Sequence, residues 1–248
     1  FPGLIWVVNK LGLKVRGIPS DRCGMRHDAL EDEVSSLIKI GKKPILYTSP
    51  TAQNPTGISL SNARIRAIAK VCNSNNIPII EDDVYAAFSR KNHITFHDLL
   101  PDLTFYINSL AKILSPWFRL GVLVVPPQFH TQTLGFVSVQ GSKVSPIMTQ
   151  IVDHWVTTGL ASEIAMMTHQ EGIRRNELAA SLFSKNNNVW VGNGFHMFLP
   201  MTRKHSFQLW SEAKDINILL TQPSENLLND ANRSGVRVCL GSPSFENL

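Results

Sequence analysis

Short apolar runs alternate with segments of helical hydrophobic spacing over the first half of the chain. The helical spacing predicts helices over residues 4–11 and 28–40 and from Asn62. The apolar runs predict strands over residues 13–19, 44–47, 77–83, 105–108 and 121–125. Short strands that alternate with helices are typical of a mostly parallel sheet with helices on both faces. We therefore expect a large α/β domain over residues 1–127.

The pattern changes after Pro127. Residues 128–185 have the spacing of connecting helices, and residues 186–248 predict a smaller C-terminal α+β domain. The elements expected there are strands over 189–201, 216–222 and 236–241 and a helix over 206–215. The chain opens on a helix without a preceding strand and closes on SPSFENL, which looks like a helix start. We therefore expect a fragment, with the first domain incomplete at its start and the second at its end.

The composition favours a folded cytoplasmic protein. Hydrophobic residues make up 43% of the 248 positions, and the three cysteines are too few and too scattered for a disulfide framework. No apolar run approaches the roughly 20 residues of a membrane span, and no signal peptide is evident. The net charge of +5 comes from dispersed residues, so this chain is not expected to bind DNA specifically. His93 and His97 lack a third ligand nearby, so we expect no metal site.

Polar clusters follow several of the predicted strands. In an open α/β sheet, ligands bind at the carboxyl ends of the strands. The clusters are TSPTAQNPTG with Asn54, EDDVY with Asp82 and Tyr85, the loop with Ser109, Lys112 and Arg119, and the run VRVCL with Arg237. Each cluster by itself has an ordinary explanation as a turn, a helix start, a surface loop or an edge strand. Their order along the chain is more informative than any one of them.

In that order, the clusters resemble the signature of the fold type I pyridoxal-phosphate enzymes, the class I and II aminotransferase superfamily. The family pattern is Asn-Pro-x-Gly, then Asp-x-x-Tyr, then Ser-x-(Ser/Ala)-Lys followed by an arginine. The resemblance extends over nearly the whole chain. It implies the pyridoxal-phosphate-dependent transferase fold with its N-terminal part missing, pyridoxal 5′-phosphate as cofactor, and a homodimer.

The resemblance also implies roles for the residues that contact the cofactor ring. Lys112 matches the catalytic lysine, whose amine forms an internal imine with the cofactor aldehyde and can move a proton. Asp82 matches the carboxylate that pairs with the pyridine nitrogen and keeps it protonated. Asn54 and Tyr85 match the residues that hydrogen-bond the phenolic oxygen of the ring.

The remaining matches concern the phosphate and the ligand. Ser109 and Arg119 match the phosphate-binding residues, and a guanidinium suits this contact because it donates paired, charge-assisted hydrogen bonds. Arg237 matches the arginine that binds the substrate carboxylate. One departure is Trp117, which stands where the family usually has a glycine. His196, within GFHMFLP, is expected to be a packed core histidine.

Two branches of the superfamily are consistent with these motifs. IIEDDVY, FYINSLAKILSPWFRLGVLV and GFHMFLP resemble the aminotransferase-like effector domain of MocR-type transcription regulators of the GntR group. That branch implies a domain that senses an amino compound or amino acid, while a separate winged-helix domain binds DNA in the full-length parent. The alternative is a free-standing aminotransferase that transfers an amino group between an α-amino acid and a 2-oxo acid.

Overall fold

The computed structural model describes residues 2–89, 92–140, 144–183, 189–223, 233–241 and 244. Its strands are β1 (Ser20–Asp21), β2 (Gly24–Met25), β3 (Leu46–Thr48), β4 (Ile79–Asp82), β5 (Thr104–Ser109), β6 (Gly121–Val124), β7 (Trp190–Val191), β8 (His196–Thr202) and β9 (Arg233–Cys239). Its α-helices are α1 (Pro2–Lys10), α2 (His27–Lys39), α3 (Asn62–Ser74), α4 (Phe96–Leu99), α5 (His130–Val139), α6 (Pro146–Thr157), α7 (Leu160–Leu182) and α8 (Arg203–Asp215). None of the helices described is long and apolar enough to cross a membrane.

The central sheet has the strand order β3-β4-β5-β6. β3, β4 and β5 run parallel, and β6 is antiparallel to β5. The predicted α/β fold with a mostly parallel sheet is therefore confirmed, with one antiparallel strand at the sheet edge. Because the first three strands are parallel, their carboxyl ends meet at one edge, where a ligand crevice forms in sheets of this kind.

The two faces of this sheet have different surroundings. One face contributes Leu46 and Ile79 to a buried core with side chains of α2 and α3, such as Val34 and Ile68. Side chains alternate between the faces along a strand, so Tyr47 and its neighbours of the same parity lie on the other face. The buried core thus occupies one face, and the other face carries half-buried side chains such as Tyr47, Ile80 and Asp82.

Two details differ from the sequence prediction in this part of the chain. Residues 13–19 form no strand, and Leu13 is exposed, because no described strand lies beside this segment to pair with it. The apolar run over residues 121–125 predicts a buried strand, but all four residues of β6 are exposed. The reason is that β6 is the edge strand of the described sheet and pairs only with β5.

The second sheet is antiparallel, in the order β7-β8-β9, and contacts α7 and α8. The strand predicted over residues 216–222 is wrong, because this segment instead completes the end of α8. Asn217 has φ of 59°, and the backbone N–H of Ile218 donates to the carbonyl of Ala213 at 2.8 Å. These are features of a left-handed helix C-cap.

The long helix α7 connects this sheet to the rest of the chain. The buried guanidinium of Arg175 donates to the carbonyl of Leu240 at 2.5 Å, and buried Asn176 donates to the carbonyl of Gly194. The division into domains at residues 127 and 185 stays a prediction. Residues 184–185 of the predicted helical region, and most of SPSFENL, lie outside the described residues.

Candidate active site

Three of the predicted clusters begin where the parallel strands end. Asn54 lies in the loop after β3, Tyr85 follows β4, and Lys112 lies in the short 3-10 helix Leu110–Lys112 after β5. Asp82 is the last residue of β4 and is paired in register with Ile107 of β5. The parallel arrangement therefore brings to one sheet edge residues that are far apart in sequence.

Arg237 reaches this edge from the second sheet. Its Nη1 donates to Oδ1 of Asn54 at 2.9 Å, and its Nη2 donates to Oγ1 of Thr221 at 3.0 Å. The first contact joins residues 183 positions apart and connects β9 directly to the loop after β3. Thr221 was not singled out from the sequence, because no motif surrounds it.

Two glycines allow this close approach. Gly57 has φ of +72°, a backbone conformation that glycine adopts without strain. A Cβ atom on Gly192 would lie only 2.3 Å from the carbonyl oxygen of Gly57. The turn before β8 and the loop of Asn54 therefore touch backbone to backbone, which places β8 and β9 over the site.

One oxygen of the Asp82 carboxylate has a hydrogen-bond partner, and the other is unpaired among the described residues. The hydroxyl of Tyr47, on β3, donates a hydrogen bond to Oδ2 of Asp82. The other oxygen, Oδ1, is buried and receives no hydrogen bond from the residues that the structure describes. Burial raises the pKa of Tyr47 well above its usual value, and the hydrogen bond to Asp82 raises it further. Tyr47 therefore remains a protonated donor at neutral pH.

Tyr85, Lys112 and His196 lie close together. The Nζ atom of Lys112 is 5.6 Å from the ring centroid of Tyr85, and the ring of His196 is 5.8 Å from the same ring. Burial raises the pKa of Tyr85, and the nearby positive charge of Arg237 opposes this rise. Lys112 and His196 thus both lie beside the Tyr85 ring, and the positive charge of Arg237 acts on the same tyrosine.

His196 is buried, as expected for a core histidine, but it also faces the site. Its Nε2 atom is 3.4 Å from the carbonyl oxygen of Gln53, the residue before Asn54. Burial lowers the pKa of His196, and the positive charges of Arg237 and Lys112 lower it further. The imidazole is therefore neutral at pH 7. The sequence pattern predicts the burial, because a histidine in an apolar run is more often packed in a core, and the tertiary structure adds that His196 faces the site.

Ser109 and Arg119 lie near the two ends of one loop, which the pairing of Ser109 with Gly121 closes. The hydroxyl of Ser109 accepts from the backbone N–H of Ala111 at 3.2 Å and donates to the carbonyl of Leu120 at 3.4 Å. The side chain of Arg119 is exposed and has no partner among the residues described. Arg119 is thus available to an anion, while Ser109 also shapes the loop.

Trp117, in the position where a glycine was expected, points outward. Its side chain is 85% exposed, and its backbone N–H donates to the hydroxyl of Ser115. The indole is therefore directed to solvent and does not fill the space beside Lys112. Within the described ranges, His, Cys, Asp and Glu side chains form no group of three or more that could hold a metal.

The residues present fit pyridoxal phosphate. A protonated ring nitrogen needs a carboxylate oxygen that is not already paired, and Oδ1 of Asp82 meets that requirement. Within the described part of the chain, the side-chain nitrogen of Lys112 is in no hydrogen bond or ion pair, and the guanidinium of Arg119 is also unpaired. The individual roles of these residues stay predictions.

The comparison with known families agrees with this geometry. The model of the family "Aminotransferase class I and II" matches residues 1–245. The chain therefore belongs to the class I and II aminotransferase family, and the resemblance stated from the motifs is confirmed. Pyridoxal phosphate is the cofactor that membership of this family implies.

Individual relatives include both regulators and enzymes. The chain is 32% identical over 189 residues to the uncharacterised HTH-type transcriptional regulator YdfD of Bacillus subtilis, covering 71% of this chain and 36% of YdfD. It is 29% identical over 200 residues to the aminotransferase swnA of Metarhizium robertsii, covering 73% of this chain and 40% of swnA. The chain thus spans well under half the length of these two relatives.

Solved structures support the fold. An archaeal alanine:glyoxylate aminotransferase superposes on 98% of this chain with a TM-score of 0.86 and 21% sequence identity. The match covers 62% of the archaeal chain. At this level of identity, the likeness establishes the fold type and leaves the substrate open.

Proposed function

We propose that the chain is the pyridoxal-phosphate-binding effector domain of a MocR-type transcription regulator of the GntR group, which senses an amino compound. The observation that carries the proposal is the convergence of Lys112 and Arg237 on Tyr85, with Arg237 fixed to Asn54. An amine and a guanidinium near one aromatic side chain suit a ligand with an amino group and a carboxylate. The motifs that resemble this branch and the similarity to YdfD support the regulatory role.

In this proposal, the side chains have separate tasks. When bound, pyridoxal phosphate supplies an electron sink for negative charge on a ligand carbon. Lys112 holds the cofactor covalently and can carry a proton on Nζ, and Asp82 pairs with the ring nitrogen through Oδ1. Asn54 and Tyr85 contact the ring oxygen, and Arg237 binds the ligand carboxylate through its planar fork.

The proposal also covers the residues that bind the cofactor phosphate and the assembly of the protein. Ser109 and Arg119 bind the phosphate, and Arg119 can donate paired hydrogen bonds to it because its guanidinium is exposed. The protein acts in the cytoplasm as a homodimer. DNA is bound only through a winged-helix domain outside this chain, and ligand binding shifts the position of that domain.

The cofactor assignment is tested with the full-length protein and Lys112→Ala. We expect the wild type to show the visible absorbance of bound pyridoxal phosphate, and borohydride reduction to leave the cofactor attached to the peptide that contains Lys112. Lys112→Ala should lose the borohydride-fixed attachment and show a shifted absorbance, because cofactor held by the remaining contacts would not be bonded to Nζ. Lys70→Ala, on the exposed side of α3, is the control and should keep both. A wild-type protein without cofactor absorbance would refute the assignment.

The alternative is a free-standing aminotransferase, which the similarity to swnA favours. The two functions are separated by assaying the full-length protein with common amino acids and 2-oxo acids. A regulator should change its DNA affinity on adding the amino compound and show no multiple turnover. Sustained turnover without any effect on DNA binding would support the enzyme and contradict the regulator.

The ligand carboxylate is tested at Arg237. Arg237→Ala should weaken amino-acid binding roughly thirtyfold, because an ion pair to a desolvated charge contributes about 2 kcal/mol or more. Arg237→Lys keeps the charge without the planar fork and should fall between the wild type and Arg237→Ala. Cofactor retention, followed by absorbance, should persist in both variants. Unchanged amino-acid affinity in Arg237→Ala would contradict the carboxylate role.

A further inference from the structure

Among the residues that the structure describes, Tyr47 is the one whose side chain hydrogen-bonds the Asp82 carboxylate. The register pairs Tyr47 with Ile80, so Tyr47 lies on the same sheet face as Asp82, two residues further along β4. This diagonal placement lets the phenol reach Oδ2. A cavity of about 260 Å³ opens at the pair and is otherwise lined by apolar residues of α1, including Leu4 and Val7.

The donor type matters for the charge of Asp82. A phenol O–H is neutral, so it stabilises a negative carboxylate without cancelling the charge. A lysine or arginine at the same position would form an ion pair and leave little net charge for a second partner. Asp82 is in none of the ion pairs found among the described residues. The carboxylate thus has no cationic partner among these residues, and its Oδ1 is the unpaired oxygen.

We propose that Tyr47 is a positioning residue that orients Asp82 toward the ring nitrogen of the cofactor. The inference rests on the proposed binding of pyridoxal phosphate and adds to it a residue outside the family motifs quoted above. Without the phenol, the carboxylate could rotate about its Cα–Cβ and Cβ–Cγ bonds and turn Oδ1 away. The contact between Asp82 and the ring nitrogen should therefore weaken, while contacts to the aldehyde and the phosphate should not.

The test compares two cofactors on the full-length protein. One is pyridoxal phosphate, and the other is its 1-deaza analogue, in which carbon replaces the ring nitrogen. Dissociation constants are measured by absorbance titration for the wild type and for Tyr47→Phe. We expect Tyr47→Phe to raise the dissociation constant of pyridoxal phosphate about tenfold and that of the deaza analogue less than twofold. The preference for the nitrogen-containing ring should therefore shrink.

Tyr106→Phe is the matched control. The hydroxyl of Tyr106 lies 3.4 Å from Oδ2 of Asp83, on the opposite face of the sheet. Its removal should leave the preference between the two cofactors unchanged. Should Tyr47→Phe fail to fold, incorporation of 3-fluorotyrosine at position 47 strengthens the donor and should instead increase the preference.

The possible results separate the inference from the proposed function. An equal loss of affinity for both cofactors in Tyr47→Phe would mean a purely structural role and would overturn the inference. The inference would also be overturned if Tyr47→Phe bound both cofactors with unchanged affinity, or if 3-fluorotyrosine at position 47 left the preference between them unchanged. In each of these cases, binding of pyridoxal phosphate by the wild type would leave the proposed function standing. A wild-type protein that binds neither cofactor would overturn both proposals.

Discussion

Replacement of Glu81 should change how the stability of this protein depends on pH. Glu81 is fully buried on the core side of β4, next to Asp82 but on the opposite face. Its carboxylate accepts from the backbone N–H groups of Phe96 at 2.9 Å and His97 at 3.0 Å, at the start of α4. Burial raises the pKa of Glu81 to about 7, although these two donors act in the opposite direction.

The sign of the effect follows from this raised pKa. The folded protein binds the Glu81 proton more tightly than the unfolded chain, whose pKa is near the ordinary value of 4.5. The stabilisation from protonated Glu81 is therefore fully present below about pH 4.5 and is lost as the pH rises through about 7. The free energy lost over this range is about 3 kcal/mol, since one pKa unit corresponds to about 1.4 kcal/mol.

The assay is urea unfolding of the wild type and Glu81→Gln between pH 5 and pH 8. At pH 5 the variant should be less stable by about 1–2 kcal/mol, because one amide oxygen replaces two carboxyl oxygens at the helix start. At pH 8 the difference should close or reverse, because glutamine carries no charge to bury. Burial also raises the pKa of Asp83, and the charge of Asp83 adds to the rise in the pKa of Glu81, so the difference between the two proteins reports the buried pair.

The exposed residue Glu177 provides the control, and Glu177→Gln should differ from the wild type by the same small amount at each pH. A free-energy difference between the wild type and Glu81→Gln that stays constant from pH 5 to pH 8 would refute this account of the buried carboxylate.

Two further substitutions test a backbone contact beside the site and the N-terminal cap of α3. Gly192→Ala should lower the free energy of unfolding by about 1–3 kcal/mol, since the new Cβ would overlap the Gly57 backbone. Gly135→Ala is the control: it lies in the exposed helix α5 with open space around it and should be neutral or stabilising. Equal stability of the two glycine variants in urea unfolding would contradict the close approach. Ser61→Ala should cost about 1 kcal/mol in the same measurement, because the Ser61 hydroxyl caps α3 by accepting from Arg64; no loss would contradict the cap.

Much of the first half of the chain follows from local pattern. The apolar runs that became β4 and β5 and the helical spacing of α2 and α3 each predict their element within a few residues. The segments at 13–19 and 216–222 are apolar too, yet neither is a strand. A strand requires a partner to satisfy its backbone hydrogen bonds, and a single segment does not show whether a partner lies beside it.

The sequence alone determined the grouping of Asp82 with Tyr85 and of Ser109 with Lys112, because each pair lies at a strand end and in the turn that follows. It also determined the family, since those short spacings recur together in one order. The tertiary structure decided which groups meet across the site. Asn54 contacts Arg237 only because β9 packs over the loop after β3, and Tyr47 reaches Asp82 only because two parallel strands have a particular register. Contacts of this kind depend on the packing of distant segments, which local hydrophobic spacing does not encode.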